Sequence, residues 1–135
     1  MFINTTTVRV RYAETDRMGY VYYGNYATYY EVGRVEALRE LGVSYKSMED
    51  SGFLLPVIDY TIKYFKPAFY DELLTVKTLI KILPSARIHF YYEIYNEKEE
   101  KLNQGETTLV FINKSTNKPC AAPDWFLEKI KKHFQ

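Results

Sequence analysis

A carboxylate precedes the longest helix that the sequence predicts. Asp16 lies in a turn-rich stretch from Glu14 to Gly19, and a helical pattern starts near Tyr26. Because the first N–H groups of a helix lack an intrahelical acceptor and carry a partial positive charge, they can hold an oxyanion or polarise a carbonyl. A carboxylate facing such a helix end fits acyl transfer, with a base or nucleophile opposite an oxyanion site.

The same residues also fit a purely structural interpretation. Asp-x-x-Gly is a common turn sequence, so Asp16 and Gly19 can form a turn without taking part in any chemistry. Asn25 can likewise serve only as a helix cap. On residue types and spacing alone, both interpretations remain open.

Most other catalytic arrangements are missing from the sequence. It contains no GxSxG elbow, Walker loop, GxGxxG fingerprint or CxxC pair. His89, His133 and Cys120 are far apart in the chain and form a poor ligand set for zinc. We therefore expect no metal and no cofactor. An enzyme built on this sequence has to work with carboxylates, tyrosines and backbone dipoles.

The composition is that of an ordinary soluble globular protein. The 135 residues have the common size of one domain, so we expect a single domain over residues 1–135. The formal net charge of +1 argues against nucleic acid or an anionic membrane as the main partner. The single cysteine fits a reducing compartment, and no signal peptide or membrane-spanning run is visible. We expect a cytoplasmic protein.

The hydrophobic spacing predicts one long helix and several strands. Apolar residues three and four apart predict a helix from Tyr26 to Leu41, which Gly42 ends. Gly33 falls on the apolar stripe and predicts a close approach between the helix and a sheet. From Phe53 onward the period changes to two, as in strands.

The predicted strands are joined by connections too short for parallel crossovers, so they should be antiparallel neighbours. Their apolar positions fall in Ile58–Tyr64, Leu74–Ile82, Ile88–Ile94 and Thr108–Ile112, and a further strand over residues 7–12 precedes the helix. Short helices are expected at residues 44–50 and after Pro123. The layout is α+β, with one apolar helix wrapped by one antiparallel sheet.

Aromatic side chains are unusually frequent. The chain contains 14 Tyr and 8 Phe, which suits semi-polar pockets or a sizeable subunit interface. One helix against one sheet also leaves an edge strand that needs cover. We therefore expect an oligomer no smaller than a dimer.

A longer motif makes the catalytic interpretation specific. The run YAETDRMGYVYYGNYATYYEVGR resembles the signature of hotdog thioesterases of the 4-hydroxybenzoyl-CoA thioesterase and YbgC type. The matching positions are Tyr12, Thr15, Asp16, Gly19, Val21, Asn25, Tyr26, Glu31 and Arg34. Shorter matches occur at Tyr64-x-x-Pro67-Ala68-x-x-Asp71-x-Leu73 and at Ser85-Ala86-Arg87. The resemblance extends from about residue 7 to residue 120.

The resemblance implies a hotdog fold, in which a five- or six-stranded antiparallel sheet wraps a long central helix. It also implies dimers that stack into a homotetramer, and hydrolysis of an acyl-CoA substrate. Asp16 would be the general base or nucleophile, and the N–H groups of Tyr23 or Gly24 would bind the thioester carbonyl oxygen. The residues implied in substrate binding are Gly19, Asn25, Lys63, Ser85 and Arg87, with Lys66 as a further candidate. Lys63 and Lys66 also fit solvated surface charges.

One position departs from many YbgC-type members, which carry histidine where this chain has Tyr23. A tyrosine cannot carry protons near neutral pH as histidine can. Two alternatives remain: a hotdog hydratase or dehydratase, and a non-catalytic acyl-thioester binding module. The first usually needs a histidine near the carboxylate, and neither His89 nor His133 is close to the motif. Release of free thiol from acyl-CoA distinguishes an enzyme from the binding module.

The motif region contains two further carboxylates. We interpret Glu14 as a structural residue at the strand end. Glu31 lies three residues before Arg34, a spacing that predicts an ion pair or an interface position.

Overall fold

One helix lies against one face of a five-stranded antiparallel sheet in the computed structural model, which describes residues 1–135. The strands are β1 (Phe2–Arg9), β2 (Phe53–Leu54), β3 (Val57–Tyr64), β4 (Leu73–Ile80), β5 (Arg87–Tyr95), β6 (Lys101–Val110), β7 (Ile112–Asn113) and β8 (Lys118–Pro119). The helices are α1 (Asn25–Glu40), α2 (Tyr45–Asp50) and α3 (Asp124–Ile130). The main sheet has the order β1-β4-β5-β6-β3, and β2-β7-β8 form a small second sheet. The predicted α+β architecture with a central helix and an antiparallel sheet is confirmed.

The first strand differs from its predicted bounds of residues 7–12. It begins at Phe2 and ends at Arg9, and a 3₁₀ turn over Tyr12–Glu14 follows it. Its amino-terminal half pairs with β4 although polar residues such as Asn4 occupy part of the inward face. These polar residues conceal the alternation by which a strand is recognised.

The inner face of the sheet and the buried face of α1 form the core. Gly33 is the point of closest approach: a Cβ atom at this position would lie 2.5 Å from Oγ1 of Thr78 and 2.8 Å from Cγ1 of Val76. Both neighbours belong to β4, so the helix backbone lies against the middle of this strand, next to the edge strand β1. The predicted close approach at Gly33 is confirmed.

The ion pair predicted between Glu31 and Arg34 does not form. Arg34 lies on the buried face of α1, and its Nε–H donates a 2.9 Å hydrogen bond to the hydroxyl of Tyr45 in α2. Glu31 is exposed to solvent. The two side chains therefore point to different environments despite their spacing along the helix.

Strand β3 forms one edge of the main sheet and pairs only with β6. Several of its apolar side chains stay substantially exposed: Ile58 by 48%, Tyr60 by 38% and Tyr64 by 47%. An unpaired strand edge with half-exposed apolar residues is the kind of surface that proteins usually cover.

None of the helices combines the length and the apolar character that crossing a bilayer requires.

We predict that Gly33→Ala destabilises the fold by about 1–2 kcal/mol, because overpacking against β4 outweighs the better helix propensity of alanine. Urea unfolding of the variant would measure the loss. Glu40→Ala, at an exposed position of the same helix, is the matched control and should change the free energy of unfolding by less than about 0.5 kcal/mol. A Gly33→Ala protein as stable as the parent would contradict the tight helix–sheet contact.

Candidate active site

Asp16 lies in the wall of a cavity of about 300 Å³. One side of the cavity is the loop between β1 and α1, and the other is the end of β3 with the residues that follow it. The lining residues are Asp16, Met18, Tyr20, Val21, Tyr23, Tyr26, Tyr64, Phe65, Lys66 and Pro67. Aromatic rings dominate this wall, and Asp16 is its only carboxylate.

The Asp16 loop is a hydrogen-bonded turn. The N–H of Met18 donates to Oδ1 of Asp16 at 2.8 Å, and the N–H of Gly19 donates to the backbone oxygen of Asp16 at 3.0 Å. Gly19 has a φ of +86°, a conformation that glycine adopts without strain. Oδ2 of Asp16 accepts no hydrogen bond from the chain, so one oxygen fixes the loop and the other is free.

Tyr23 and Gly24 form the entrance to α1. Neither of their N–H groups donates to an acceptor in the chain, whereas the next residue, Asn25, donates its N–H to the oxygen of Tyr22 at 2.9 Å. The helix has no side-chain cap, and Gly24 occupies the N-cap position. The helix end therefore carries two free donors, and Tyr23, which supplies one of them, lines the Asp16 cavity.

Asn25 is the first residue of α1 rather than its cap. Its side-chain Nδ2 donates to the backbone oxygen of Glu14 at 2.8 Å. The N–H of Tyr22 donates to the same oxygen at 2.9 Å. The Asn25 amide group thus ties the helix entrance to the Asp16 loop.

Glu14 is a buried carboxylate close to the site, with 9% of its surface exposed. It accepts hydrogen bonds from the Arg11 N–H (2.8 Å), the Arg11 guanidinium (3.0 Å) and the Tyr29 hydroxyl (2.9 Å). Burial alone would raise the pKa of Glu14, but the bonds from Arg11 and Tyr29 together hold that pKa below its usual range. The structural role interpreted from the sequence agrees with these contacts.

Tyrosine rings form the inner wall of the cavity. The ring centres of Tyr26 and Tyr64 lie 5.7 Å apart. Deeper in the core, the buried ring of Tyr30 stacks on that of Tyr92 with 4.3 Å between their centres. Burial raises the pKa of Tyr26 to about 12. Because the Tyr26 hydroxyl is neutral at physiological pH, it shapes the cavity and can donate hydrogen bonds but cannot act as a base.

Ser85 and Arg87 lie at the other end of the sheet within one protomer. Arg87 opens β5 opposite Val110 of β6, near the start of β3, whereas the Asp16 cavity adjoins the end of β3 at Tyr64. Eight residues of strand, or about 25 Å, separate the two ends. A single protomer therefore does not bring these predicted phosphate-binding residues to Asp16.

The two lysines lie closer to the cavity. Lys63 alternates with the helix-facing residues of β3 and emerges on the outer face of the sheet. Its ammonium lies 5.7 Å from the ring centre of Phe65, which lines the cavity. Lys66 lines the cavity itself and pairs with Glu100.

Sequence reasoning missed part of the cavity wall. Met18, Tyr20 and Phe65 received no role, although two of them lie inside the long motif. The period-two pattern put Tyr64 on the apolar face of its strand, and this could have identified it as a neighbour of Tyr26.

Comparison with known proteins gives the same fold and family. The model of the thioesterase-like superfamily matches residues 10–130, and the chain belongs to this superfamily. YneP of Bacillus subtilis is 38% identical across 98% of this chain and 100% of its own length. The acyl-CoA thioester hydrolase YbgC of Escherichia coli O6:H1 is 31% identical across 96% of this chain and 99% of its own. The crystal structure of a DHNA-CoA thioesterase from Staphylococcus aureus is similar with a TM-score of 0.91 and 41% identity, over 99% of this chain and 92% of that one.

We predict that Glu14→Gln lowers the free energy of unfolding more at pH 7 than at pH 3. The folded-state pKa of Glu14 lies below the unfolded value of about 4.3, so the carboxylate stabilises the fold above the unfolded pKa. This contribution is lost as the pH falls through the folded-state pKa. Urea unfolding at both pH values measures the difference.

The exposed Glu40 provides the control, since Glu40→Gln should change stability little at either pH. If Glu14→Gln costs the same at pH 3 and pH 7, the ionised carboxylate does not stabilise the fold and the account of its contacts is wrong.

Proposed function

We propose that the protein hydrolyses acyl-CoA thioesters, with Asp16 acting on the thioester carbonyl. The observation that supports this most directly is the free Oδ2 of Asp16 on a cavity that adjoins the two unpaired N–H groups of Tyr23 and Gly24. Similarity to proteins named as acyl-CoA thioester hydrolases supports the reaction class.

In this proposal, the thioester carbonyl lies between Asp16 and the entrance of α1. As general base, Asp16 takes a proton from water, and the hydroxide adds to the carbonyl carbon. The N–H groups of Tyr23 and Gly24 donate to the oxyanion, and the macrodipole of the helix adds to their effect. The C–S bond then breaks, and the thiolate of CoA leaves and takes up a proton. As nucleophile, Asp16 would instead form a mixed anhydride that water hydrolyses.

The size and lining of the cavity favour a small aromatic acyl group. About 300 Å³ is at the lower end for small-molecule pockets. The rings of Tyr23, Tyr26 and Tyr64 offer edges and faces for ring–ring contacts, each contributing about 0.5–1.5 kcal/mol beyond area burial. A panel of benzoyl-, phenylacetyl- and straight-chain acyl-CoAs tests this preference. The highest kcat/KM on long straight chains would contradict it.

We further propose that two protomers share each site. Antiparallel pairing of β3 with β3 of a second copy would cover the exposed edge and place the start of the partner's β3 beside Tyr64. The partner's Arg87 and Ser85 are two strands further on, about 10 Å away. A CoA chain extending from the Asp16 cavity could reach them. Gly19 and Lys63 would then contact substrate from the first protomer. Dimers could pair further into a homotetramer.

We predict that Asp16→Asn lowers kcat by roughly 10²- to 10⁴-fold, because the base or nucleophile is lost while size and most hydrogen bonds are kept. Thiol release from the best acyl-CoA gives the rate, and single-turnover hydrolysis in ¹⁸O-labelled water separates the two routes. If Asp16 attacks directly and water then adds to its side-chain carbon, the acid released in the first turnover carries an Asp16 oxygen and no ¹⁸O. Asp124→Asn in α3, an exposed carboxylate that does not line the cavity, is the control and should retain the parent rate. An Asp16→Asn protein with near-parental kcat would refute the assignment.

We predict that Arg87→Ala raises KM and leaves kcat little changed, because a phosphate contact far from the carbonyl gives nearly uniform binding.

Sedimentation should show at least a dimer at micromolar concentration. A stable monomer at that concentration would exclude the shared site.

Mixing two variants that are impaired in different parts of the site tests whether the site is shared. When Asp16→Asn and Arg87→Ala proteins exchange subunits at equal concentration, half of the dimers should be mixed, and each mixed dimer regains one intact site. At low substrate concentration the activity should approach roughly a quarter of the parental value. Activity equal to the average of the two unmixed variants would contradict the shared site. It would show that Asp16 and Arg87 either act within one subunit or do not contribute to the same site.

A further inference from the structure

We propose that Glu14 is a positioning residue that sets the distance between the Asp16 carboxylate and the free N–H groups of Tyr23 and Gly24. This inference rests on the proposed function, because it concerns how the parts of that site are held together. Glu14 is connected to both parts. It lies two residues before Asp16, and it accepts hydrogen bonds from Asn25 and Tyr29 in the first turns of α1.

The backbone oxygen of Glu14 bonds to both sides of the two free donors. It accepts from the N–H of Tyr22, directly before Tyr23, and from Nδ2 of Asn25, directly after Gly24. The segment that carries the free N–H groups is thus held at each end by one oxygen atom.

The carboxylate of Glu14 fixes the backbone of this residue, and with it the backbone oxygen, relative to α1. Tyr29, one turn into α1 and 2% exposed, donates its hydroxyl to Oε1, and the Arg11 N–H donates to the same oxygen. Loss of the Tyr29 hydroxyl would leave a buried carboxylate with one donor fewer, which makes the arrangement costly to break.

The connection from Glu14 to Asp16 is short and constrained. Thr15, the only residue between them, donates its N–H and its hydroxyl to the oxygen of Tyr12 at 3.1 and 2.7 Å. The N–H of Asp16 then donates to the oxygen of Tyr20 at 2.9 Å. A shift of Glu14 would therefore move Asp16 as well.

Glu14 acts through these contacts and not on the substrate. It is absent from the lining of the Asp16 cavity and faces a separate depression beside Arg11, Thr28 and Tyr29. Because a misplacement of about 1 Å can reduce an enzymatic rate by 10²-fold, a residue in this place can control turnover without touching the thioester.

Four variants test the proposal by steady-state hydrolysis of acyl-CoA. Tyr29→Phe and Glu14→Ala should each lower kcat about 10- to 100-fold with KM changed less than about threefold. Asn25→Ala should do the same, whereas a substrate contact by Asn25 would raise KM. The conservative Glu14→Gln keeps an acceptor for Tyr29 and should restore kcat to within about threefold of the parent.

Tyr45→Phe is the matched control. It removes a hydroxyl that bonds to Arg34, away from the Asp16 cavity, and should lower stability like Tyr29→Phe while leaving kcat unchanged. If Tyr29→Phe loses stability but keeps the parental kcat, Glu14 is only structural and the proposal is wrong. If Glu14→Ala does not fold, the Tyr29 and Asn25 variants decide the question alone.

Asp16→Asn measured in parallel separates the proposed function from the positioning role of Glu14. If it is inactive while Tyr29→Phe and Asn25→Ala keep the parental kcat, the proposed function stands and the positioning role falls. If Asp16→Asn itself is fully active, the site is wrong, and with it the positioning role.

Discussion

The contact between α1 and the middle of β4 is the constraint on which the site depends. Because position 33 carries no side chain, the helix backbone comes against Val76 and Thr78. Because the helix packs this close to the sheet, its buried tyrosines point toward the sheet. Its first turn then lies next to the loop that follows β1. The cavity forms where that turn, the loop and the end of β3 meet.

The buried polar groups around α1 divide into two kinds of support. Glu14 joins the loop to the helix through charge-assisted hydrogen bonds, which are stronger and more directional than neutral ones. The tyrosine cluster of Tyr26, Tyr30 and Tyr64 supplies bulk and shape while its hydroxyls stay protonated. The catalytic group we propose, Asp16, is half-buried and carries one unbonded oxygen, so the surrounding structure leaves it free to act.

The sequence alone predicted the fold class and the central helix, because hydrophobic periodicity is a local signal. It also predicted the close approach at Gly33, because a glycine on the apolar stripe of a helix is unusual. Through a long motif it also predicted a site at Asp16 and the helix entrance, and both Asp16 and Tyr23 line one cavity. It could not show that Arg87 and Asp16 lie at opposite ends of the sheet in one protomer, since strand order is a long-range property. The first strand was placed too late because Asn4 and the neighbouring threonines hide its alternation. The pair predicted from Glu31 and Arg34 failed because spacing on a helix does not tell which residue is buried.

The most direct test of the central claim is a crystal structure of Asp16→Asn protein with a bound, unhydrolysed acyl-CoA. If the proposed mechanism holds, the thioester carbonyl oxygen lies within hydrogen-bond distance, about 2.7–3.2 Å, of the N–H of Tyr23 or Gly24. The carbonyl carbon should face residue 16 from the other side. A thioester bound with its carbonyl away from the entrance of α1, and with both N–H groups in contact only with water, would contradict the account.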